Sequence, residues 1–225
     1  QPVFFGNGEN ASVTCENVES RGLKGMSCDI CLKGKMAENG ELQTFHVDIP
    51  MPGRHMVSNA LAAAAVGRLY GLNAEQIKNG IESLEPVSGR FNMIETDKFM
   101  IVDDCYNANP VSMKSSIEVL SHAKGRTIAV LGDMGELGSD EKKLHHEVGE
   151  AVGENHIHTL FAAGELAKEY AAGAAEKSSD VDIHYFEDRE TMTQELLSYV
   201  KEGDTILVKA SHFMEFPKVV EALSK

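Results

Sequence analysis

Phe99-Met100-Ile101-Val102-Asp103-Asp104-Cys105-Tyr106-Asn107-Ala108-Asn109-Pro110 is the stretch on which the reading of the fold turns. An apolar run ends in two adjacent carboxylates, a polar loop follows, and Pro110 opens an amphipathic segment. Proline suits the first helical position because the N–H it lacks would have no partner there. Asn109 is then the predicted N-cap. Strand, polar loop, helix is the order in which open α/β sheets present their ligand loops.

Downstream the pattern repeats. Apolar runs predict strands over 93–95, 99–102, 127–131, 159–162, 183–186 and 205–208. Helical periodicity falls on 110–122, 140–153, 165–175, 189–200 and 213–223. Alternation of this kind predicts βαβ units in a doubly wound, mostly parallel sheet with helices on both faces. The strands lack strict polar alternation, as expected when both faces are covered.

Upstream the chain is mixed. Short strands are predicted over 12–14, 23–32 and 42–48, the last two joined across Ala37-Glu38-Asn39-Gly40, where Asn-Gly signals a hairpin. Pro50-Met51-Pro52-Gly53 breaks that pattern. A helix over 55–70 holds Asn59-Ala60-Leu61-Ala62-Ala63-Ala64-Ala65-Val66, small and apolar nearly all round, so burial on most sides is expected. Asn59 inside it then needs a partner, either a neighbouring loop or a ligand. A second helix over 74–84 has Asn73 as its cap. Pro86 and Gly89 punctuate the stretch after it, which places a domain boundary between residues 1–88 and 89–225.

The chain has 225 residues and a formal net charge of −14. That charge argues against non-specific nucleic-acid binding, which needs basic surface. No run reaches membrane-span length. The start, Gln1-Pro2-Val3-Phe4-Phe5, lacks both a secretory leader pattern and an initiator Met, so the chain is expected to be a piece of a longer protein. Cys28-Asp29-Ile30-Cys31 has CxxC spacing, but residues three apart on a strand point to opposite faces, and no second CxxC follows. Free thiols in a reducing cytoplasm are expected.

Parallel strands share one carboxyl edge, so their following loops converge. Asp103, Asp104, Tyr106, Asn107 and Asn109 follow one strand, and Gly132-Asp133-Met134-Gly135-Glu136-Leu137-Gly138 follows another. The last strand leads into Lys209-Ala210-Ser211-His212. A carboxylate there suits ribose hydroxyls, and Lys209 and His212 suit phosphate or carboxylate. Neither GxxxxGK[ST] nor GxGxxG occurs. Arg54 and His55 open the small-residue helix, a local anion-friendly point, and Arg90 lies at the boundary.

Taken together these residues resemble the Mur ligases. Gly53-Arg54-His55 with Asn59-Ala60-Leu61-Ala62-Ala63 resembles the GRHNxxNALAA motif, with Met56 where the family usually has Asn. Gly89-Arg90 with Asp103 to Met113 resembles GR…DDSYNANPxSM, Gly132 to Gly138 resembles GDMxELG, and Val208 to His212 resembles VKGSR or VKASH. The last three are similar to the MurF type. The resemblance implies a cytoplasmic, monomeric, ATP- and Mg2+-using acid–amino-acid ligase of peptidoglycan synthesis. Its substrates would be UDP-N-acetylmuramoyl-tripeptide (UDP-MurNAc-tripeptide) and D-alanyl-D-alanine (D-Ala-D-Ala). It implies the tail of an ATP-binding central domain over 1–88 and a Rossmann-like C-terminal domain over 89–225. By the same resemblance Asn59 meets adenine, Arg90 the phosphates and Asp104 the ribose. Tyr106, Asn107 and Asn109 line the nucleotide cleft, while Lys209, Ser211, His212, Asp133 and Glu136 face substrate. No metal ligand is carried over, and the piece alone is expected to be inactive. Another ligase of this shape, such as folylpolyglutamate synthetase, stays open. So does the ligase adding the third peptide residue, although its Asp-Asn-Pro-Arg motif is absent. A receiver-like signalling module shares an acid pair and a late Lys, but needs fewer strands and has no counterpart of 132–138. A non-catalytic nucleotide-binding domain is the remaining alternative.

Overall fold

The structure, a computed structural model, describes residues 2–225. It divides into two compact units, one ending at Glu85 and the other spanning Pro86–Lys225.

In the first unit β1 (Val13–Ser20), β2 (Met26–Leu32) and β3 (Gln43–Ile49) form an antiparallel sheet in that order. The central strand starts later than its apolar run suggests, because Gly22–Lys24 forms a 3-10 turn. Gly25 follows at φ +118°, and a Cβ there would lie 2.1 Å from the Ile49 carbonyl oxygen. The link to β3 is also longer than a tight Asn-Gly hairpin. A second 3-10 turn, Gly34–Met36, drives the buried Met36 side chain into the core. Cys28 shares the core face with Ile30 and Leu32, and burial pushes its thiol up to about 12. Cys31 lies on the other face and accepts a hydrogen bond from Thr44 at 3.6 Å.

Helix α1 (Arg54–Leu69) corrects one expectation. It buries a single stripe, with Met56, Val57, Ala60, Leu61, Ala64 and Ala65 inside. Ser58, Asn59, Ala63, Val66 and Leu69 are exposed. Alanine is tolerated in either environment, so an alanine-rich run does not by itself report burial all round. Helix α2 (Ala74–Glu82) begins at Asn73 with a full capping box to Gln76.

The second unit is built on six strands: β4 (Asn92–Glu95), β5 (Met100–Asp103), β6 (Thr127–Gly132), β7 (Thr159–Ala163), β8 (Asp182–Phe186) and β9 (Thr205–Lys209). Their spatial order is β4-β5-β9-β6-β7-β8. Only β4 runs antiparallel, because four residues join it to β5 and a parallel crossover needs many more. The helices are α3 (Pro110–Ser121), α4 (Glu141–Glu154), α5 (Ala167–Lys177), α6 (Arg189–Tyr199) and α7 (Pro217–Leu223). Helices α3, α4 and α5 pack side by side, and α6 packs on α7. The final helix starts later than its periodicity suggests. A 3-10 turn spans His212–Met214, Glu215 adopts φ +53°, and Pro217 restarts the chain as α-helix.

The chain passes from β5 over β9 to β6, moves outward to β8, and returns to insert β9 between β5 and β6. That insertion is the switch in winding direction, where doubly wound sheets open a crevice at their carboxyl edge. Strands β6, β7 and β9 are buried along their whole length.

Helices α4 and α5 meet through glycine. A Cβ on Gly173 would lie 2.2 Å from the His146 carbonyl oxygen, and one on Gly149 2.2 Å from that of Tyr170. Gly173→Ala must therefore part the two helices, and a loss of about 1–3 kcal/mol is expected in urea denaturation. Gly80→Ala in α2 meets nothing within 4 Å. It should instead raise stability by about 0.5–1 kcal/mol through helix propensity. Equal effects at the two sites would show that close helix approach is not what Gly173 provides.

Candidate functional site

The loops after β5, β6 and β9 enclose a cleft of about 570 Å3 at the switch point. Tyr106, Asn107 and Asn109 come from the first loop, Glu136 and Leu137 from the second, and Ser211, His212 and Phe213 from the third. Asn109 is the N-cap of α3, its Oδ1 accepting the Ser112 N–H at 2.9 Å, and Pro110 takes the first helical position. Asn107 turns its Oδ1 back onto the Ala108 N–H at 2.9 Å.

The two acids at the end of β5 divide their work as strand alternation requires. Asp103 is buried; its Oδ2 accepts the Gly89 N–H at 2.9 Å and its Oδ1 the Cys105 N–H at 3.3 Å. It ties the segment entering the unit to the loop leaving β5. Asp104 lies on the other side. Its Oδ1 accepts the Phe91 N–H at 3.1 Å, and its Oδ2 accepts from Ser116 at 2.7 Å and from Lys209 at 2.5 Å. One lone-pair site remains on Oδ1. The Lys209 ammonium also donates to the Asn107 carbonyl oxygen at 3.2 Å. Its side chain is only 3% exposed, so Lys209 crosses beneath the cleft and holds the 104–107 backbone rather than lining the opening. Cys105 is sealed in the same layer; burial pushes its thiol up, and it donates to the Val208 carbonyl oxygen at 3.2 Å.

The glycine-rich loop after β6 is wired from below. His145, fully buried in α4, accepts the Met134 N–H at Nε2 (2.9 Å), so its proton sits on Nδ1 and goes to the Glu141 carbonyl oxygen at 2.7 Å. The Tyr170 hydroxyl donates to the Gly132 carbonyl oxygen at 3.0 Å. Asp133, expected to face substrate, instead points toward the start of α5 and accepts the Leu166 N–H at 3.3 Å. Burial pushes its carboxyl up, and the α5 N–H groups partly oppose this. Ser211, also expected to meet substrate, ties the three loops together. Its Oγ accepts the Gly135 N–H at 2.8 Å and donates to the Ala108 carbonyl oxygen at 3.4 Å, while its N–H goes to the Asp133 carbonyl oxygen at 3.1 Å. That leaves Glu136, held at φ +62°, His212 and the Tyr106 phenol as the exposed ionisable groups of the cleft wall. Sequence reasoning missed His145, Tyr170 and Ser116; each lies inside a helix, and no local pattern marks it as a loop support.

Arg90 stacks its guanidinium over the Tyr106 ring, 4.1 Å from the centroid. The stack is possible because Gly89, at φ +77°, brings its carbonyl to the Tyr106 N–H at 2.9 Å. A Cβ at Gly89 would crowd that N–H at 3.3 Å. In the first unit Asn59 is exposed beside an apolar slot of about 250 Å3 between α1 and α2, walled by Ile49, Met56, Ala63 and Ile77.

Residues 89–212 match the family model described as Mur ligase, glutamate ligase domain. The chain is 36% identical over 186 residues to the UDP-N-acetylmuramoyl-tripeptide–D-alanyl-D-alanine ligase of Escherichia coli, covering 81% of this chain and 40% of that protein. To the Bacillus subtilis protein of the same name it is 34% identical over 178 residues, covering 78% and 39%. The chain thus spans about two fifths of the curated relatives it matches. The crystal structure of a Thermotoga maritima MurF ligase in complex with ADP superposes with a TM-score of 0.75 at 27% identity, covering 99% of this chain and 48% of that one.

Removing Asp104 alone leaves the Lys209 ammonium buried without its counter-ion. Asp104→Ala is expected to lose about 3–5 kcal/mol of stability. Asp104→Leu combined with Lys209→Met should recover most of it, since no charge is then stranded. Denaturant titrations of the single and double variants check this; a double variant no better than the single would remove the ion pair as the cause. Ser211→Ala, which frees the Gly135 N–H, should cost about 1–3 kcal/mol. Broadened amide resonances at 107–109 and 134–136 should accompany that loss.

Proposed function

The chain belongs to the Mur ligase family through its glutamate ligase domain, and from that premise we propose that it is part of an ATP-dependent ligase joining D-Ala-D-Ala to UDP-MurNAc-tripeptide. The observation that carries this reading is the makeup of the three-loop cleft. Its volume of about 570 Å3 admits a dipeptide, and its exposed titratable groups are one carboxylate, Glu136, one imidazole, His212, and the Tyr106 phenol. The first two complement a zwitterion, with the ammonium on Glu136 and the carboxylate on His212. Leu137, Phe213 and Tyr106 then meet the two methyl groups.

In this reaction the γ-phosphoryl group of ATP passes to the terminal carboxylate of the tripeptide, giving an acyl phosphate and ADP. The neutral amine of the dipeptide attacks the acyl carbon. The new C–N bond forms, the C–O bond to phosphate breaks, inorganic phosphate leaves, and the amine loses its proton. The chain's own residues contribute placement. Arg90, braced on Tyr106, offers a cation to the phosphates, and Asp104 offers its remaining Oδ1 lone pair to a ribose hydroxyl. Asn59 offers its amide to adenine beside an apolar wall. Lys209, Ser211 and Asp133 act through the loops they hold. The cleft carboxylates do not fit Mg2+. Asp103 and Asp133 are buried and accept backbone N–H groups, Asp104 pairs with Lys209, and Glu136 stands alone, whereas Mg2+ takes several oxygen ligands. In this reading residues 1–88 belong to the central ATP-binding domain and 89–225 to the C-terminal domain of a cytoplasmic, monomeric enzyme. Among the described residues no helix is long and apolar enough to cross a membrane.

The 225-residue chain by itself is expected to release no ADP when given ATP and both substrates, since it contains no GxxxxGK[ST] loop. Coupled-enzyme turnover above a blank would overturn that. Titrated with D-Ala-D-Ala, the chain should show amide shifts at Glu136, Leu137 and Phe213. Glu136→Gln should weaken the complex about tenfold through loss of one charge-assisted hydrogen bond. Shifts confined to the first unit would sink the assignment of the cleft to the dipeptide.

A further inference from the structure

Two residues of the cleft wall, His212 and Phe213, sit on an arch that the cleft itself does not hold. At one end Ser211 is tied to the other loops. At the other, Phe216 is fully buried; its ring packs so closely on Gly132 that a Cβ there would lie 2.5 Å away. Between them run the 3-10 turn His212–Met214 and Glu215. Glu215 adopts φ +53°, a left-handed conformation that a residue with a Cβ disfavours. His212 and Phe213 are exposed, Phe213 to 62%, so along the 212–215 arch only Met214, partly buried against the core, is held by packing.

A side chain outside the cleft supplies what is missing. Arg189, from the first turn of α6, points its Nη1 at the Met214 carbonyl oxygen (3.0 Å), the Glu215 carbonyl oxygen (3.2 Å) and the Glu215 carboxylate (3.2 Å). Its Nη2 is paired with Glu190. Lys218 donates to the same Glu215 carboxylate oxygen, Oε2, at 2.7 Å. The Arg189 side chain is 13% exposed. A cation in the first turn works against the helix dipole, and Asp188 already caps α6. The helix therefore gains nothing from an arginine at this position; the arch does. All three arch contacts come from one terminal nitrogen, Nη1, so a single cationic group at this position serves both carbonyl oxygens.

We propose that Arg189 is a positioning residue of the cleft, a latch that fixes the 212–215 arch and so sets His212 and places the Phe213 ring over Gly135. That ring lies close enough that a Cβ on Gly135 would meet Cε1 at 3.0 Å. The dipeptide as occupant rests on the function proposed above; the latch itself does not.

The test compares the chain with Arg189→Gln and Arg189→Lys. In the Gln variant, amide exchange at Met214 and Glu215 should quicken at least about tenfold. The nuclear Overhauser contact between Phe213 and Gly135 should vanish, and the melting temperature should stay near that of the parent. D-Ala-D-Ala affinity should fall about tenfold, with Lys restoring most of both effects. Unchanged exchange and a retained Phe213–Gly135 contact would overturn the latch. A loosened arch with unchanged dipeptide affinity would overturn its role in placing the cleft wall. If the parent chain binds no dipeptide, the occupant reading fails, and the Phe213–Gly135 contact alone decides: its loss in the Gln variant supports the latch, its retention overturns it.

Discussion

A buried ammonium lies beneath the cleft, and much of the carboxyl edge of the sheet is organised by it. Lys209 ends β9, the strand inserted at the switch in winding, and a charge there must be neutralised and hydrogen-bonded or the strand end could not be dry. Asp104 neutralises it from the end of the neighbouring strand, and the Asn107 carbonyl oxygen accepts a further N–H from it. Satisfying one cation thereby fixes the backbone from Asp104 to Asn107, and with it the positions of Tyr106, Asn107 and Asn109 at the opening.

The same logic separates two kinds of polar residue that look alike in the sequence. Asp103, Asp133, His145, Lys209 and Ser211 are buried and accept from or donate to protein groups. They make three loops behave as one rigid rim. Glu136, His212, Asn107, Asn109 and Arg90 are exposed at that rim or beside it. A site of this construction keeps its geometry without ligand because its supports do not depend on solvent. Arg189 extends the pattern beyond the sheet edge, from a helix of the other layer to the 212–215 arch, where His212 and Phe213 are exposed.

The resemblance to Mur ligases and the physical reading of the cleft meet at the same residues by different routes. Motif wording picks out 89–90, 103–113, 132–138 and 208–212. Topology picks out the loops after β5, β6 and β9 because β9 lies between β5 and β6. The match to the family model over residues 89–212 spans all of these.

The sequence by itself determined the elements that rest on local chemistry. Pro110 and Asn109 start α3, Asn73 caps α2, and the buried apolar runs become the parallel strands, because capping and two-sided burial are written within a few residues. It also determined that Asp103 and Asp104 part company, since the strand period is two. Tertiary structure alone decided the strand order, and hence which loops meet. It decided that Asn59 is exposed, because alanine carries too little hydrophobic signal to tell a buried face from an open one. It also decided that Lys209 and Asp133 hold the cleft rather than face it, and that Ser211, on the cleft wall, spends its hydroxyl on the neighbouring loops. A polar side chain at a strand end reads the same whether its partner is a ligand or a carbonyl brought in from a hundred residues away. Only the packed chain, which strips such a group of water and hands it a particular partner, separates the two.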